Sequence, residues 1–281
     1  MSIKLMTDSG SDMGTMQNER ITCVPLKVRF GNDEYLDGET ITHEEFYDKL
    51  ENSGLFPQTS QATPFEFPQA IEKEKAAGAD ELIIITLSSK VSGTYQSACL
   101  AASEFDNVYV VDSLQVTLGQ MMLVRRAEQL VLEGKTAKEI VEVLEEEKKR
   151  LLLVAMVDTL EYLCKGGRIS GLAAAAGTML NLKPIIGVDD GVVVTYNKAR
   201  GLKKAMAAVT AQIEKAGGID YSMPYSIGYT GKAERAEEYL AANREFLKAD
   251  EIHVGPFSVG GAIGTHAGPG AVAVAFFRKE Q

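Results

Sequence analysis

Leu82-Ile-Ile-Ile85-Thr86-Leu-Ser-Ser-Lys-Val-Ser-Gly-Thr-Tyr-Gln-Ser97 decides the fold class of this 281-residue chain. An unbroken apolar run empties into a loop with serine or threonine at 86, 88, 89, 92, 94 and 97. A short continuous apolar run reads as a strand buried on both faces, as in a parallel sheet. A helix is expected to start near Gly93. In open α/β sheets, ligands collect just beyond the carboxyl ends of the strands. The loop therefore marks a site that hydrogen-bonds an oxygen-bearing head group.

Outward from this stretch, strands and helices alternate through the first half. Strands are predicted at Ile3–Thr7, Val24–Phe30, Leu82–Thr86 and Val108–Val111. Capping-box patterns at Thr42-His-Glu-Glu45, Thr63-Pro-Phe-Glu66 and Thr136-Ala-Lys-Glu139 open helices, with Pro64 at a first helical position. Gly78 and Gly134 are the expected stops. Such alternation implies a mainly parallel sheet with helices on both faces. The second half reads differently. Strands are expected at Leu151–Val157, Tyr225–Tyr229, Glu251–Gly255 and Ala271–Phe277, with helices at Leu202–Ala216 and Ala233–Leu247. Lys183–Val188 and Val192–Tyr196 flank Asp189-Asp190-Gly191, a hairpin signal. A mixed sheet with helices follows. The expected architecture is α/β in two domains, 1–150 and 151–281.

Charge and composition narrow the function. The net charge of −10 disfavours a general nucleic-acid binder and electrostatic docking on anionic membranes. Apolar runs of seven residues fall far short of the ~20 a spanning helix needs. Cys23, Cys99 and Cys164 lie far apart with no C-x-x-C, and the N-terminus has no signal-peptide core. Reduced cysteines and a cytoplasmic location are expected.

Familiar catalytic patterns are missing. The chain holds no G-x-G-x-x-G, no G-x-x-x-x-G-K-[ST] and no G-x-S-x-G. His43, His253 and His266 have no neighbours at metal-ligand spacing, so no metal site is expected. Four segments remain: Thr59-Ser60-Gln61, the loop through Ser92, Lys165-Gly-Gly-Arg168-Ile-Ser170, and Gly264-Thr-His266-Ala-Gly-Pro-Gly270. Each also has a plainer reading: polar turn, helix cap, helix-ending basic turn and structural histidine. Glycines beside His266 allow close backbone approach.

Together these segments resemble the DegV family of bacterial fatty-acid-binding proteins, which includes the fatty-acid-carrying subunit of fatty acid kinase. The likeness extends over Thr7-Asp-Ser-Gly-Ser-Asp12, Ser88–Ser97, Val111-Asp-Ser113, Glu161–Ser170, Asn181-Leu-Lys-Pro184 and Lys198-Ala-Arg-Gly201. Ala62 stands where the family often has proline. The resemblance implies two α/β domains with a long-chain fatty acid between them. It implies that Thr59 and Ser92 hold the carboxylate, with Ser60, Gly93 and His266 beside them and Thr94 and Arg168 in support. No cofactor is implied beyond the bound fatty acid. The implied function is a non-catalytic carrier that presents the carboxylate to a separate ATP-binding kinase for acyl-phosphate formation. Arg200 and Lys204, in a basic patch, are the implied kinase contacts.

Physical chemistry accommodates this. A buried carboxylate is costly unless hydrogen-bonded, and hydroxyls satisfy it without adding charge. A tail needs an apolar tunnel, expected from Met, Phe, Ala and Leu of the second half, with Ala173–Ala176, Met179 and Leu180 as candidates. Two alternatives stay open. One is a serine-dependent acyl hydrolase using Ser92 and His266. The other is a regulatory module that binds some other small molecule.

Overall fold

A computed structural model describes residues 2–15, 18–169, 181–249 and 255–280. The strand Glu81–Thr86 (β6) is buried at every position and pairs in parallel with β1 (Ile3–Asp8) and β7 (Val108–Asp112). With β2 (Ile21–Val24) they form a parallel sheet of order β2-β1-β6-β7. Alternation along β6 sends its side chains to opposite faces. Leu82 and Ile84 pack with Phe67 and Ile71 of α2 (Glu66–Ala76) and Ala98 of α3 (Thr94–Ala102). Ile83 and Ile85 pack with α4 (Leu118–Leu132) and α5 (Ala137–Glu147). The sheet is thus covered on both faces, as predicted.

Local signals placed several elements well. Thr42 and Thr136 each accept from the N–H three residues on, and Glu45 and Glu139 reach back to cap α1 (His43–Asn52) and α5. At Thr63-Pro-Phe-Glu66 only half a box forms: Glu66 accepts from the Thr63 N–H, and the helix starts at Glu66 rather than Pro64. The predicted strand Val24–Phe30 is two strands. Pro25 lacks the N–H a ladder needs, and the chain passes from β2 into β3 (Lys27–Phe30) of a different sheet. That sheet has order β4-β3-β5, and its outer strands β4 (Asp33–Leu36) and β5 (Gln58–Ser60) carry no clear sequence signal.

The second large sheet has order β10-β9-β8-β13-β11-β12, mixed in direction. Its strands are β8 (Leu151–Met156), β9 (Leu182–Asp189), β10 (Val192–Arg200), β11 (Tyr225–Tyr229), β12 (Phe257–Ser258) and β13 (Val272–Phe277). The β9–β10 hairpin turns at Asp190-Gly191 as expected, both with positive φ. Of the predicted strand at 251–255, residues 251–254 lie outside the described residues. One face of this sheet packs on α7 (Leu202–Lys215) and α8 (Glu234–Ala242) through Val154, Met156 and Val274. The other packs toward α4, which is buried over most of its circumference because it lies between the two large sheets. The remaining helices are α6 (Glu161–Lys165) and α9 (Gly261–Ala267). Among the described residues no helix is long and apolar enough to cross a membrane.

Two buried acids make stability depend on pH. Burial pushes the Asp8 carboxyl up to about 7 and that of Asp12 up to about 8. Their folded pKa values lie above the ordinary value, so the folded chain retains protons that the unfolded chain has released. This stability is present below about pH 4 and is lost as pH rises through about 7 to 8. His266 acts oppositely: burial holds it down at about 4, so its contribution is lost as pH falls from about 6.5 toward 4. The urea midpoint is expected to fall between about pH 6.5 and 8.5, and Asp12→Asn should flatten part of that fall. A midpoint equally steep in both proteins would refute the assignment.

Candidate functional site

Three segments converge beyond the carboxyl end of β6. Strand β5 pairs antiparallel with β3, setting Thr59 opposite Val28. The loop after β6 is anchored by Ser88, whose hydroxyl donates to the Gly191 carbonyl at 2.8 Å. Gly93 then opens α3 against Gln61: a Cβ there would stand 2.0 Å from Gln61 Oε1. Gln61 Nε2 donates to Ser97 Oγ at 3.3 Å. From the far side, α9 brings His266 Nε2 to 3.0 Å from Thr59 Oγ1. Gly166 packs flush on that imidazole, since a Cβ would stand 2.0 Å from Nδ1. Arg168 closes the ring of contacts, donating to the Gly166 carbonyl at 2.7 Å and the Val91 carbonyl at 3.3 Å.

Of these residues Thr59, Gln61, Val91, Gly93, Arg168 and His266 line a cavity of about 400 Å³, within the roughly 300–1,000 Å³ typical of small-molecule sites. Its apolar wall comes from the strand period of two. Leu153, Ala155 and Val157 follow one another along β8 and its end; Ile186 and Val188 join from β9, and Ala273 from β13. Ala155 lies directly beside both Ala273 and Ile186 in the sheet register. Two facing alanines leave volume that larger side chains would fill. Ala and Leu line the cavity as expected, but Met and Phe are absent from its described wall, which also draws on Leu26, Leu87 and Val116 of the first half. The tunnel candidates Ala173–Ala176, Met179 and Leu180, like Ser170, lie outside the described residues.

Hydrogen bonding orients the hydroxyls. Burial and the nearby Arg168 charge push His266 down to about 4, so its ring is neutral at pH 7. Its Nδ1 is buried with no partner among the described atoms. A proton on Nε2 leaves only an acceptor unpaired, so Nε2–H donates to Thr59 Oγ1 and the Thr59 hydroxyl proton is free to donate elsewhere. Ser92 is arranged alike. Its Oγ accepts from the Thr94 N–H at 3.3 Å and lies 2.9 Å from Thr94 Oγ1. Either hydroxyl of this pair can donate to the other, and when Thr94 donates the Ser92 proton is available to a ligand. Two hydroxyl donors facing an apolar cavity suit a ligand with an anionic or carbonyl-rich head and a long tail.

The structure brings Thr59, Ser60, Ser92, Gly93, Arg168 and His266 to one cavity wall. Thr94 sits behind Ser92 rather than on the wall. Arg200 and Lys204 are elsewhere, exposed at the end of β10 and the first turn of α7. Thr59 and Ser92 were the expected holders of the head group, with Arg168 in support. Arg168 adds a guanidinium to that lining; two of its five donors go to backbone carbonyls, and among the described residues it pairs with no carboxylate.

Comparison with known proteins places the chain. The family model described as "Uncharacterised protein, DegV family" matches residues 2–279. The chain belongs to the DegV family. A DegV domain-containing protein of Caldanaerobacter subterraneus is 38% identical to this DegV chain over 99% of each sequence. Among solved structures, a DegV family protein from Thermus thermophilus, presented as binding fatty acid, is 34% identical, with a TM-score of 0.82 over 99% of this chain and 100% of that one. DegV of Bacillus subtilis, presented as a fatty acid binding protein, is 30% identical, with a TM-score of 0.84 over the same shares. A stearic acid-binding protein from Eubacterium ventriosum is 26% identical, with a TM-score of 0.86 over 99% of each chain. The two-domain α/β fold of this DegV chain is theirs.

Proposed function

We propose that this chain binds one long-chain fatty acid, with its carboxylate on the Thr59 and Ser92 hydroxyls and its tail along the Ala155–Ala273 wall. The observation that carries the reading is the pair of pre-oriented hydroxyls opening onto an apolar cavity of about 400 Å³. The fatty-acid-binding relatives of like fold support it. Ser60 and the Gly93 backbone complete the cradle, and Arg168 supplies positive potential beside the carboxylate. The acyl-hydrolase alternative needs Ser92 bonded to His266, but the imidazole is bonded to Thr59 and Ser92 to Thr94. A regulatory module for another small molecule remains the second reading, and it predicts no lipid on the purified protein.

Replacing Thr59 or Ser92 by Ala should each weaken fatty-acid binding by about 1–3 kcal/mol, the cost of an unpaired buried partner. Calorimetric titration with oleate checks this, and unchanged affinity in both variants would sink the site assignment. Denaturing extraction of the purified protein followed by mass spectrometry should release close to one fatty acid per chain.

The same proposal makes the chain a cytoplasmic, non-catalytic carrier in two units, 1–150 and 151–281. A separate ATP-binding kinase would phosphorylate the presented carboxylate. The exposed cations Arg200 and Lys204 would meet that kinase on an otherwise acidic chain. Charge reversal at both should lower acyl-phosphate yield, measured by hydroxylamine trapping, and leave oleate affinity unchanged. Undiminished yield would remove this surface from the proposal.

A further inference from the structure

The N-terminal segment Thr7-Asp-Ser-Gly-Ser-Asp12 lines no part of the cavity. Its second aspartate lies at the start of α9, the helix that carries His266. A helix begins with N–H groups that have no partner within it, and a glycine at the cap has no side chain to accept from them. Gly260 occupies that cap. Two carboxylates remote in sequence take over. Asp12 Oδ1 accepts from the Gly260 N–H at 2.7 Å, and Asp37 Oδ1 accepts from the Gly261 N–H at 2.7 Å. Asp37 also accepts from the Ala262 N–H. The second oxygen of Asp12 accepts from the Thr117 hydroxyl, and that of Asp37 from the Ser9 hydroxyl at 3.0 Å.

The glycines are what allow the carboxylates so close. A Cβ on Gly260 would stand 2.9 Å from His43 Nε2, 3.1 Å from Asp37 Oδ1 and 3.2 Å from Asp12 Oδ1. One on Gly261 would stand 2.7 Å from the Phe46 ring, and one on Gly264 2.5 Å from the Tyr47 hydroxyl. Backbone strain gathers at the same place. Asp12 has φ 58° and Thr117 φ 47°, and a β-branched residue with positive φ is an outlier that the surroundings must impose. Thr117 is also part of the cavity wall.

We infer that Asp12 and Asp37 are positioning residues of the carboxylate-binding site: they clamp the glycine start of α9 and so hold His266 against Thr59. The inference rests on the fatty-acid reading above. His266 lies five residues beyond Gly261, about 8 Å along the helix. A hydrogen bond weakens steeply with misalignment, so release of the helix start costs Thr59 its oriented donor. Burial pushes Asp12 up to about 8, so an amide is a close mimic of its neutral form at pH 7, whereas alanine removes the acceptor.

The test joins hydrogen exchange to a double-mutant cycle on the full chain. Asp12→Ala and Asp37→Ala should each raise exchange at least tenfold across 257–268 while β6 and β8 keep their protection. Each should raise the oleate Kd about tenfold or more, and Asp12→Asn should stay within about twofold of the parent. In a His266→Ala background, Asp12→Ala should add less than about twofold, because its effect passes through that imidazole. If neither alanine variant folds, Gly260→Ala takes their place, since its Cβ would crowd both carboxylates, and the same linked losses are expected. Unchanged exchange across 257–268 overturns the clamp. An equal rise in Kd with and without His266 overturns the link to the site. A parent protein that binds no oleate overturns the fatty-acid reading, a result separate from the exchange comparison.

Discussion

Ala273→Phe is expected to cost about two orders of magnitude in affinity for an eighteen-carbon fatty acid while sparing the fold. Ala273 faces the cavity beside Ala155 in the register of β13 and β8. A benzyl group there occupies space that the tail would use. Displacing roughly four methylenes at about 0.8 kcal/mol each costs about 3 kcal/mol, or about a hundredfold in Kd. A twelve-carbon acid would lose much less, so the preference between the two lengths should invert. Thermal stability should hold or rise, because the ring fills open volume instead of overpacking a filled core. Competition with a fluorescent fatty acid, alongside a melting curve, reads both effects. Undiminished binding of the longer acid would place the tail elsewhere.

Asp8→Ala should have the largest effect on folding. Asp8 ends β1 with no exposed surface, and its carboxyl accepts from the Gly10 N–H at 3.0 Å, the Leu87 N–H at 2.9 Å and Gln120 Nε2 at 3.1 Å. It thereby ties β1 to the end of β6 and to α4. Its removal relieves the desolvation that pushes it up to about 7, but it also strands two buried donors, the Gly10 and Leu87 N–H groups, while Gln120 Nε2 keeps the Thr7 hydroxyl and the Ile85 carbonyl. At about 1–3 kcal/mol for each donor, the sum is about 2 kcal/mol or more, a large fraction of the roughly 5–15 kcal/mol that holds a typical domain. The expected outcome is a fall in melting temperature of about 5 °C or more. A fall of less than about 2 °C would show the donors re-paired. The site loop begins at Leu87, so ligand binding should weaken with the fold.

Where a signal is local, the sequence carried it. The run Leu82–Ile85 needs no distant partner to be read as a buried strand, and Thr42 with Glu45 or Thr136 with Glu139 caps a helix within its own first turn. The site segments were legible as segments: hydroxyls at Thr59 and Ser92, the imidazole at His266, the guanidinium at Arg168. Their mutual contacts were not. Thr59 and His266 stand 207 positions apart in sequence, and nothing in either neighbourhood states that one orients the other. Strand β5 was missed because three polar residues become a strand only when β3 offers a ladder. Helix α9 was missed because glycine is a poor helix former, about 1 kcal/mol below alanine. Its glycines serve packing on Phe46 and Tyr47 instead.

By itself the sequence determined the α/β alternation, the strand whose end opens the site, and the residue types available to hold an oxygen-bearing head group. Periodicity and caps act over a few residues, and a linear reading sees them directly. Only the tertiary structure decided how those groups are used. The neutral state of His266 comes from burial beside Arg168. The polar neighbours of Thr59 and Ser92, His266 Nε2 and the Thr94 hydroxyl, are fixed only in the fold. Asp12 and Asp37 reach the glycine start of α9 across 248 and 224 positions. Hydrogen bonds and desolvation depend on which atoms meet in space, and chain order leaves that open until both sheets have closed on α4.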